Sequence, residues 1–471
     1  MSRVRKLAVL RREQGAMDGR KQHFKLVRRF SARSAGGLAC AVAMTLLVCG
    51  ATSAYAGEAE NKALVIELDR LATQYAAGGQ APGTFGEVQP FSQPVAANTP
   101  APSDKEIRFG MVAAFSGSAK ELGNQMKVGV EAAFNAANDT GGVNGRTLRL
   151  FTADDGYDPQ RSLDALKQLH DKSQFIGLVG DVGTPTSAAV LPYVLENHIL
   201  FYGAFTGAGL LRNDPPDRYV LNYRASYVEE TDAVVRYLVK VRRLRLDQIA
   251  VFAQQDSFGD AGYAGVEKAF RALSSVALDP PLRLGYTRNT VDVAAAVEGL
   301  HKKRASIKAV VMVATYRAAA KFIEKTRDQY PDLIYTNVSF VGSTALSSEL
   351  MLLGPRYANG VIVTQVVPAV DGYSSLALEY RAALAKYFPS ESADYVSFEG
   401  YVDGKILLEA LKRSGPQADV EKLVDAFEGI RNLDIGLGTM VNFGRAEHQG
   451  SHKVWGTQID ANGKYQPIDL Q

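Results

Sequence analysis

The chain reads as an α/β protein whose parallel sheets build two lobes joined by a hinge of three chain segments. Three observations predict this. Short apolar strands alternate with amphipathic helices from Ile107 onward, and the same alternation restarts near Gln248. Roughly 365 residues of such pattern also exceed what one hydrophobic core holds comfortably. Alternation at this spacing means a parallel sheet covered by helices on both faces.

The first strand is Ile107 to Ala113, a mostly apolar run fit for burial. A helix follows with Met126, Val130, Phe134 and Ala137 on one face, ending at Gly141-Gly142. Asn144-Gly145 turns into a strand over Thr147 to Ala153, where Leu148 and Leu150 alternate. Asp158-Pro159 supplies a cap and a first-turn proline for the helix carrying Leu163 and Leu166. Phe175 to Gly180 is a strand, Ala188 to Glu196 a helix, and Ile199 to Tyr202 a strand.

In the second half, Gln248 to Ala253 and Ala309 to Thr315 read as strands, with Ser339 to Gly342 as another. Helices are expected over Gly262 to Leu273, Val291 to Leu300 and Arg317 to Arg327. Crossings between lobes are placed near Arg224–Tyr227, Gln365–Pro368 and Gly438–Phe443. That makes 104–226 with 367–440 one lobe and 227–366 with 441–471 the other.

The ends carry different information. Residues 1–56 hold eleven Lys/Arg and two acids, Glu13 and Asp18. Lys25, Arg28, Arg29 and Arg33 lead into an apolar run from Gly37 to Gly50, and Ala54-Tyr55-Ala56 follows. Charge, a short greasy core and small residues at a cleavage site predict a secretory signal peptide, with Met17 as an alternative start. The run of about 14 residues is short of the ~20 that a spanning helix needs. Without this segment the formal charge of +3 becomes −6, so no basic face for nucleic acid or anionic lipid is implied. Both cysteines, Cys40 and Cys49, leave with it, so the exported chain relies on its core rather than on disulfides. Next, Leu64, Leu68, Leu71 and Tyr75 form one helical stripe, and Gly78 to Ser103 is a Pro/Gly-rich linker. Residues 57–103 are thus a short helix plus a linker.

In open parallel sheets ligands bind beyond the carboxyl ends of the strands. After Phe175 to Gly180 comes Asp181-Val182-Gly183-Thr184-Pro185-Thr186-Ser187. Thr184 is a good N-cap and Pro185 a good first helical residue, leaving the Thr186 and Ser187 amides for an anionic head group. An ordinary capped helix explains the same residues as well. The next strand ends in Gly203-Ala204-Phe205-Thr206-Gly207-Ala208-Gly209, with an apolar wall at Phe205 and a hydroxyl at Thr206. Its spacing is not that of a dinucleotide loop. Asp256, Ser257, Phe258 and Gly259 follow a later strand; Tyr316 and Gly342-Ser343-Thr344-Ala345 follow two more. Aromatic and short polar groups at several strand ends suit a small polar ligand.

Four segments carry a specific resemblance: Asn144-Gly145-Arg146, Asp154 to Pro159, Val182 to Ser187, and Asp256-Ser257-Phe258-Gly259. By order and spacing they resemble the type I periplasmic binding proteins of the leucine/isoleucine/valine-binding family, over about Ile107 to Ile468. The resemblance implies two Rossmann-like lobes, no cofactor, a small-molecule ligand, an ABC permease of the inner membrane as partner, and a periplasmic location. Ligand contacts carried over by position fall on Thr184, Phe205, Thr206 and Gly207 in the first lobe. Tyr227, Phe258, Tyr316 and Thr344 supply those of the hinge side and second lobe. Amino-acid binders of the family usually present an acid where Thr344 stands; Asp256 or Glu230 is left to supply that charge. The expected solute is an amino acid, an amide or a small carboxylate.

No nucleophile elbow, phosphate loop or zinc-binding helix pair is present. His448 and His452 are four apart, but Gly450 between them argues for loop histidines rather than metal ligands. Asp154-Asp155 reads as capping and loop hydrogen bonding rather than a catalytic pair. Lys302-Lys303-Arg304 and Arg242-Arg243 read as solvated helix ends. A solute-binding subunit of an importer is favoured over a ligand sensor signalling to a partner, and both over a hydrolase.

Overall fold

The computed structural model describes residues 105–277 and 279–470. The expected signal peptide (1–56) and the helix and linker (57–103) lie outside them. In chain order the first half contains β1 (Glu106–Ala113), α1 (Lys120–Asn138), β2 (Thr147–Asp154), α2 (Pro159–Ser173), β3 (Gly177–Val179), α3 (Thr184–Glu196), β4 (Leu200–Tyr202) and β5 (Val220–Leu221). The five strands form one parallel sheet in the order β2-β1-β3-β4-β5. β1 is buried from Ile107 to Ala113, with Arg108 among the buried residues and paired with Glu106. Asp158 caps α2 by accepting from the Gln160 and Arg161 amides, with Pro159 in the first turn.

The second sheet begins after α4 (Tyr227–Arg236), with β6 (Ile249–Gln254), α5 (Ser257–Leu273), β7 (Leu282–Tyr286), α6 (Ala294–Lys303), β8 (Ala309–Val313) and α7 (Tyr316–Arg327). It continues through β9 (Ile334–Asn337), α8 (Ser343–Leu353), α9 (Pro355–Ala358) and β10 (Ile362–Gln365). The chain then forms α10 (Ser375–Tyr387), α11 (Tyr395–Ser414) and α12 (Val420–Glu428) before adding β11 (Trp455–Ile459) and β12 (Tyr465–Ile468). The strand order is β12-β11-β10-β9-β8-β6-β7, with β11 and β12 antiparallel at one edge. The strand expected over Ser339–Gly342 is instead a 3-10 turn, Ser339–Val341; β9 lies just before it. Both stretches are buried, so apolar content alone cannot tell which of them pairs.

The chain changes sheet three times. After β5 it passes through 222–226 into α4, where Ser226 and Glu229 form a capping box. After β10 it returns to the first lobe, where α11 docks along α1. The third change runs through 448–454, later than the 438–443 expected from sequence. Val441 pairs with Leu433, and Phe443 meets Phe427 edge to face at 5.5 Å, which keeps that segment on the first lobe. The first and third segments run side by side: the Asn222 amide donates to His448 O at 2.8 Å and the Gly450 amide to Asn222 O at 2.7 Å. The Tyr223 hydroxyl donates to Val366 O at 2.8 Å, so one residue ties the first segment to the second.

Candidate functional site

The carboxyl ends of β3 and β4 are extended by a parallel bridge between Val182 and Phe205. Gly183 has φ 109°, outside the range of side-chain-bearing residues, and is the N-cap of α3. Thr184 is therefore the first residue inside the helix and not its cap, because the chain reverses at the glycine one position earlier. The Ser187 amide is not free either; it donates to Gly183 O at 3.1 Å. What Thr184 does instead is hydrogen-bond Thr206 through the two hydroxyls, at 2.7 Å. The Thr186 hydroxyl is turned back to Val182 O and Gly183 O. Gly207 serves packing: a Cβ there would lie 2.6 Å from the Tyr227 nitrogen, whose N–H donates to Gly207 O.

From the second lobe, Asp256 caps α5 by accepting from the Phe258 amide at 3.1 Å. That places Phe258 at the helix start, facing Phe340 from the turn after β9, with ring centroids 4.6 Å apart. Phe340 is the centre of the junction. It stacks on Phe205 at 5.2 Å and contacts Tyr157 at 6.1 Å and Tyr227 at 6.4 Å. Tyr227 also meets Phe258 at 5.4 Å. Rings from strand ends of both sheets therefore converge on one point between the lobes. Thr184, Phe205, Thr206, Tyr227, Phe258 and Tyr316 are all buried. Beside Phe205, between Ser339, Gln365 and Glu399, the packing is too tight for a water molecule. A solute reaches this point only when side chains or lobes move apart.

Two expected residues stand elsewhere on the same face. The buried Tyr316 starts α7 beside Glu121 and, among the described residues, makes no ring contact with the cluster. Thr344 is half-buried, with its hydroxyl beside Asp394, the N-cap of α11. Six of the eight expected residues are thus brought together around Phe340 and the Thr184–Thr206 pair.

The charges follow a different pattern from the one expected. Glu230 is buried and accepts from Arg224 at 3.2 Å, from the Ser339 amide at 2.8 Å and from the Thr364 hydroxyl. Asp256 pairs with Arg288 at 2.9 Å. Neither offers a free carboxylate to an ammonium group, which corrects the expectation that one of them does. Arg224 lies 4.8 Å from the Phe205 ring centroid and 5.8 Å from that of Tyr227, and pairs with Glu399 of α11 at 3.4 Å. Burial pushes Glu399 up to about 7 despite Arg224, and it also raises Asp403 above the usual carboxylate range.

Asp154 accepts from the Phe115, Ser116 and Gly156 amides, and Asp155 from the Tyr157 amide and the Ser162 hydroxyl, as loop residues do. His448 bonds Val220 O, and His452 bonds Glu229 at 2.6 Å. Among the described residues no group of His, Cys, Asp and Glu could hold a metal ion. None of their helices is long and apolar enough to cross a membrane.

Sequence reasoning missed Phe340, Arg224 and Tyr157. Phe340 was hidden by the misplaced strand. Arg224 lies within the first expected crossing and Tyr157 within the Asp154–Pro159 motif, so position alone marked both without showing what they touch.

The sequence profile of the family described as "Periplasmic binding protein" matches residues 106–464. The Leu/Ile/Val-binding protein BraC3 of Rhizobium johnstonii is 23% identical over 337 residues, covering 71% of this chain and 86% of that protein. A possible leucine/isoleucine/valine-binding protein from Rhodopirellula baltica is 38% identical, with a TM-score of 0.74 over 79% of this chain and 98% of that one. A substrate-binding periplasmic protein from Ralstonia solanacearum is 26% identical, with a TM-score of 0.69 over 77% of this chain and 100% of that one. With two sheets, three crossings and converging strand ends, the chain belongs to the type I periplasmic leucine/isoleucine/valine-binding protein family, whose members bind solutes.

Proposed function

We propose that this protein is the periplasmic solute-binding subunit of an ABC-type importer, capturing a small molecule between its lobes by closure about the three crossings and presenting it to a permease in the inner membrane. The observation that carries this is the convergence of Phe205, Tyr227 and Phe258 on Phe340 beside the hydroxyl pair Thr184–Thr206. Strand ends of two hinged lobes meeting at one aromatic and hydroxyl-bearing point are the setting in which such a fold holds a ligand. The names of the relatives support the reading, since BraC3 is called a Leu/Ile/Val-binding protein. The leader at 1–56 supports export. The protein acts by binding rather than by catalysis: the paired acids and the histidines near the lobes are spent on caps, loops and ion pairs.

The test is a thermal-shift screen of purified protein against amino acids, amides and carboxylates. A true ligand at 100 times its Kd stabilises by ~2.7 kcal/mol. Replacing both Thr184→Ala and Thr206→Ala should weaken its binding about ten-fold or more, from loss of hydrogen bonds contributing ~1.5–3 kcal/mol each to a charged group. A screen in which no solute stabilises the protein overturns the function. Unchanged affinity in the double variant overturns the site.

A further inference from the structure

We propose that the solute is an aromatic carboxylate that carries no ammonium group; the inference rests on the solute-binding reading and narrows it. The body of the ligand is set by the rings. Phe205, Phe258 and Phe340 come from three different strand ends, and Phe340 meets the other two with centroids 5.2 and 4.6 Å away. When the lobes part, Phe205 leaves Phe340, and the faces that met across the junction are exposed to water. A planar ring inserted among them restores offset and tilted contacts that a branched aliphatic chain does not.

The head group is set by hydroxyls. Thr184 and Thr206 bond each other at 2.7 Å at the start of α3, where the positive end of the helix favours an anion. Helix polarity alone would not distinguish a site from an ordinary helix start. The Tyr227 hydroxyl does so: it is fully buried, lies beside Thr206, and completes no hydrogen bond of normal geometry within the protein. A buried hydroxyl without a partner is costly and points to an acceptor brought from outside. Three hydroxyls at one helix start match the oxygens of a carboxylate.

The ammonium is excluded by charge. Glu230 is held by Arg224 and Ser339, Asp256 by Arg288, and Asp394 by the Val396 and Ser397 amides that it caps. Glu399, beside Phe205, is paired with Arg224 at 3.4 Å, and Glu121 lies beside Tyr316 and Asp394 rather than among the rings. Arg224 already lies against Phe205 and Tyr227, so a second cation at those rings would meet like charge at short range.

Calorimetric titration of the purified protein with phenylacetate, 3-phenylpropionate and benzoate, against phenylalanine, phenylacetamide, pentanoate, leucine and valine, decides the matter. One aromatic acid should bind at least ten-fold more tightly than its amide, its amino acid and the aliphatic acid. Tyr227→Phe, which keeps the ring, should weaken that acid at least five-fold without lowering the melting temperature. Leucine, valine or phenylalanine binding as tightly overturns the ligand class and leaves solute binding intact. Silence from all eight compounds also overturns the class, and solute binding is then judged by the wider screen. Unchanged affinity in Tyr227→Phe overturns the head-group assignment.

Discussion

Asp155 lies fully buried just beyond the end of β2, accepting from the Tyr157 amide at 2.7 Å and the Ser162 hydroxyl at 2.7 Å. Burial pushes its carboxyl up to about 6, with Ser162 and the Tyr157 amide opposing and Asp154 adding to the rise. Between an unfolded value near 3.8 and about 6 the folded protein holds a proton that the unfolded chain has released. Stability from this group is therefore full below that window and falls as pH rises through it. Asp155→Asn keeps the shape and removes the titration. Unfolding by denaturant from pH 4 to 7 should show the wild type losing on the order of 2–3 kcal/mol relative to the variant as pH rises. A constant difference across that range would mean the carboxyl is not raised. At this scale the sequence was legible in chemical type: the hydroxyls of Thr184 and Thr206 and the rings of Phe205 and Phe258 were identified from strand ends, and Tyr227 from the family resemblance. Their partners were not, because a side chain's neighbour comes from a distant segment; Phe340 lies more than a hundred residues from Phe205.

The element that decides the site is the turn from β3 into α3. Gly183 sits at φ 109° and ψ 151°, a region open essentially to glycine alone. A Cβ there would also lie 2.4 Å from Tyr157 Cε2. Gly183→Ala is expected to lower the unfolding free energy by at least ~2 kcal/mol, combining backbone strain of about 1–3 kcal/mol with displacement of the Tyr157 ring. It should also weaken ligand binding, since α3 would start from a shifted position. Chemical denaturation checks the first effect and calorimetry the second; wild-type stability in the variant would show that the turn relaxes freely. Thr184 and Pro185 announced this helix correctly, but the start moved by one residue because glycine can cap by conformation without a side chain. The strand misread at Ser339–Gly342 has a related cause: β9 is only four residues long, and the turn after it is equally apolar.

Across the whole molecule the lobes also meet through backbone groups beside the Tyr157 ring. Asn289, in the loop between β7 and α6, donates to Gly156 O at 3.1 Å and Tyr157 O at 3.3 Å, and accepts from the Ser118 hydroxyl at 3.0 Å. Its φ of 61° is one that asparagine and aspartate tolerate. Asn289→Asp keeps that conformation while turning the donor into an acceptor that faces two carbonyls. The closed state should lose about 1 kcal/mol or more, so solute affinity should fall roughly five-fold and the radius of gyration in X-ray scattering should rise. If neither moves, this loop is not a latch. The sequence by itself determined the α/β class, the doubling into two lobes, and the strand ends at which a ligand is sought. Periodicity, caps and turns are local and are written in neighbouring residues. The tertiary structure alone decided that Phe340 fills the junction, that Arg224 and Arg288 have already neutralised Glu230 and Asp256, and that the third crossing falls at 448–454. Each of these is a contact between segments far apart in the chain, and only folding brings such partners within reach of one another.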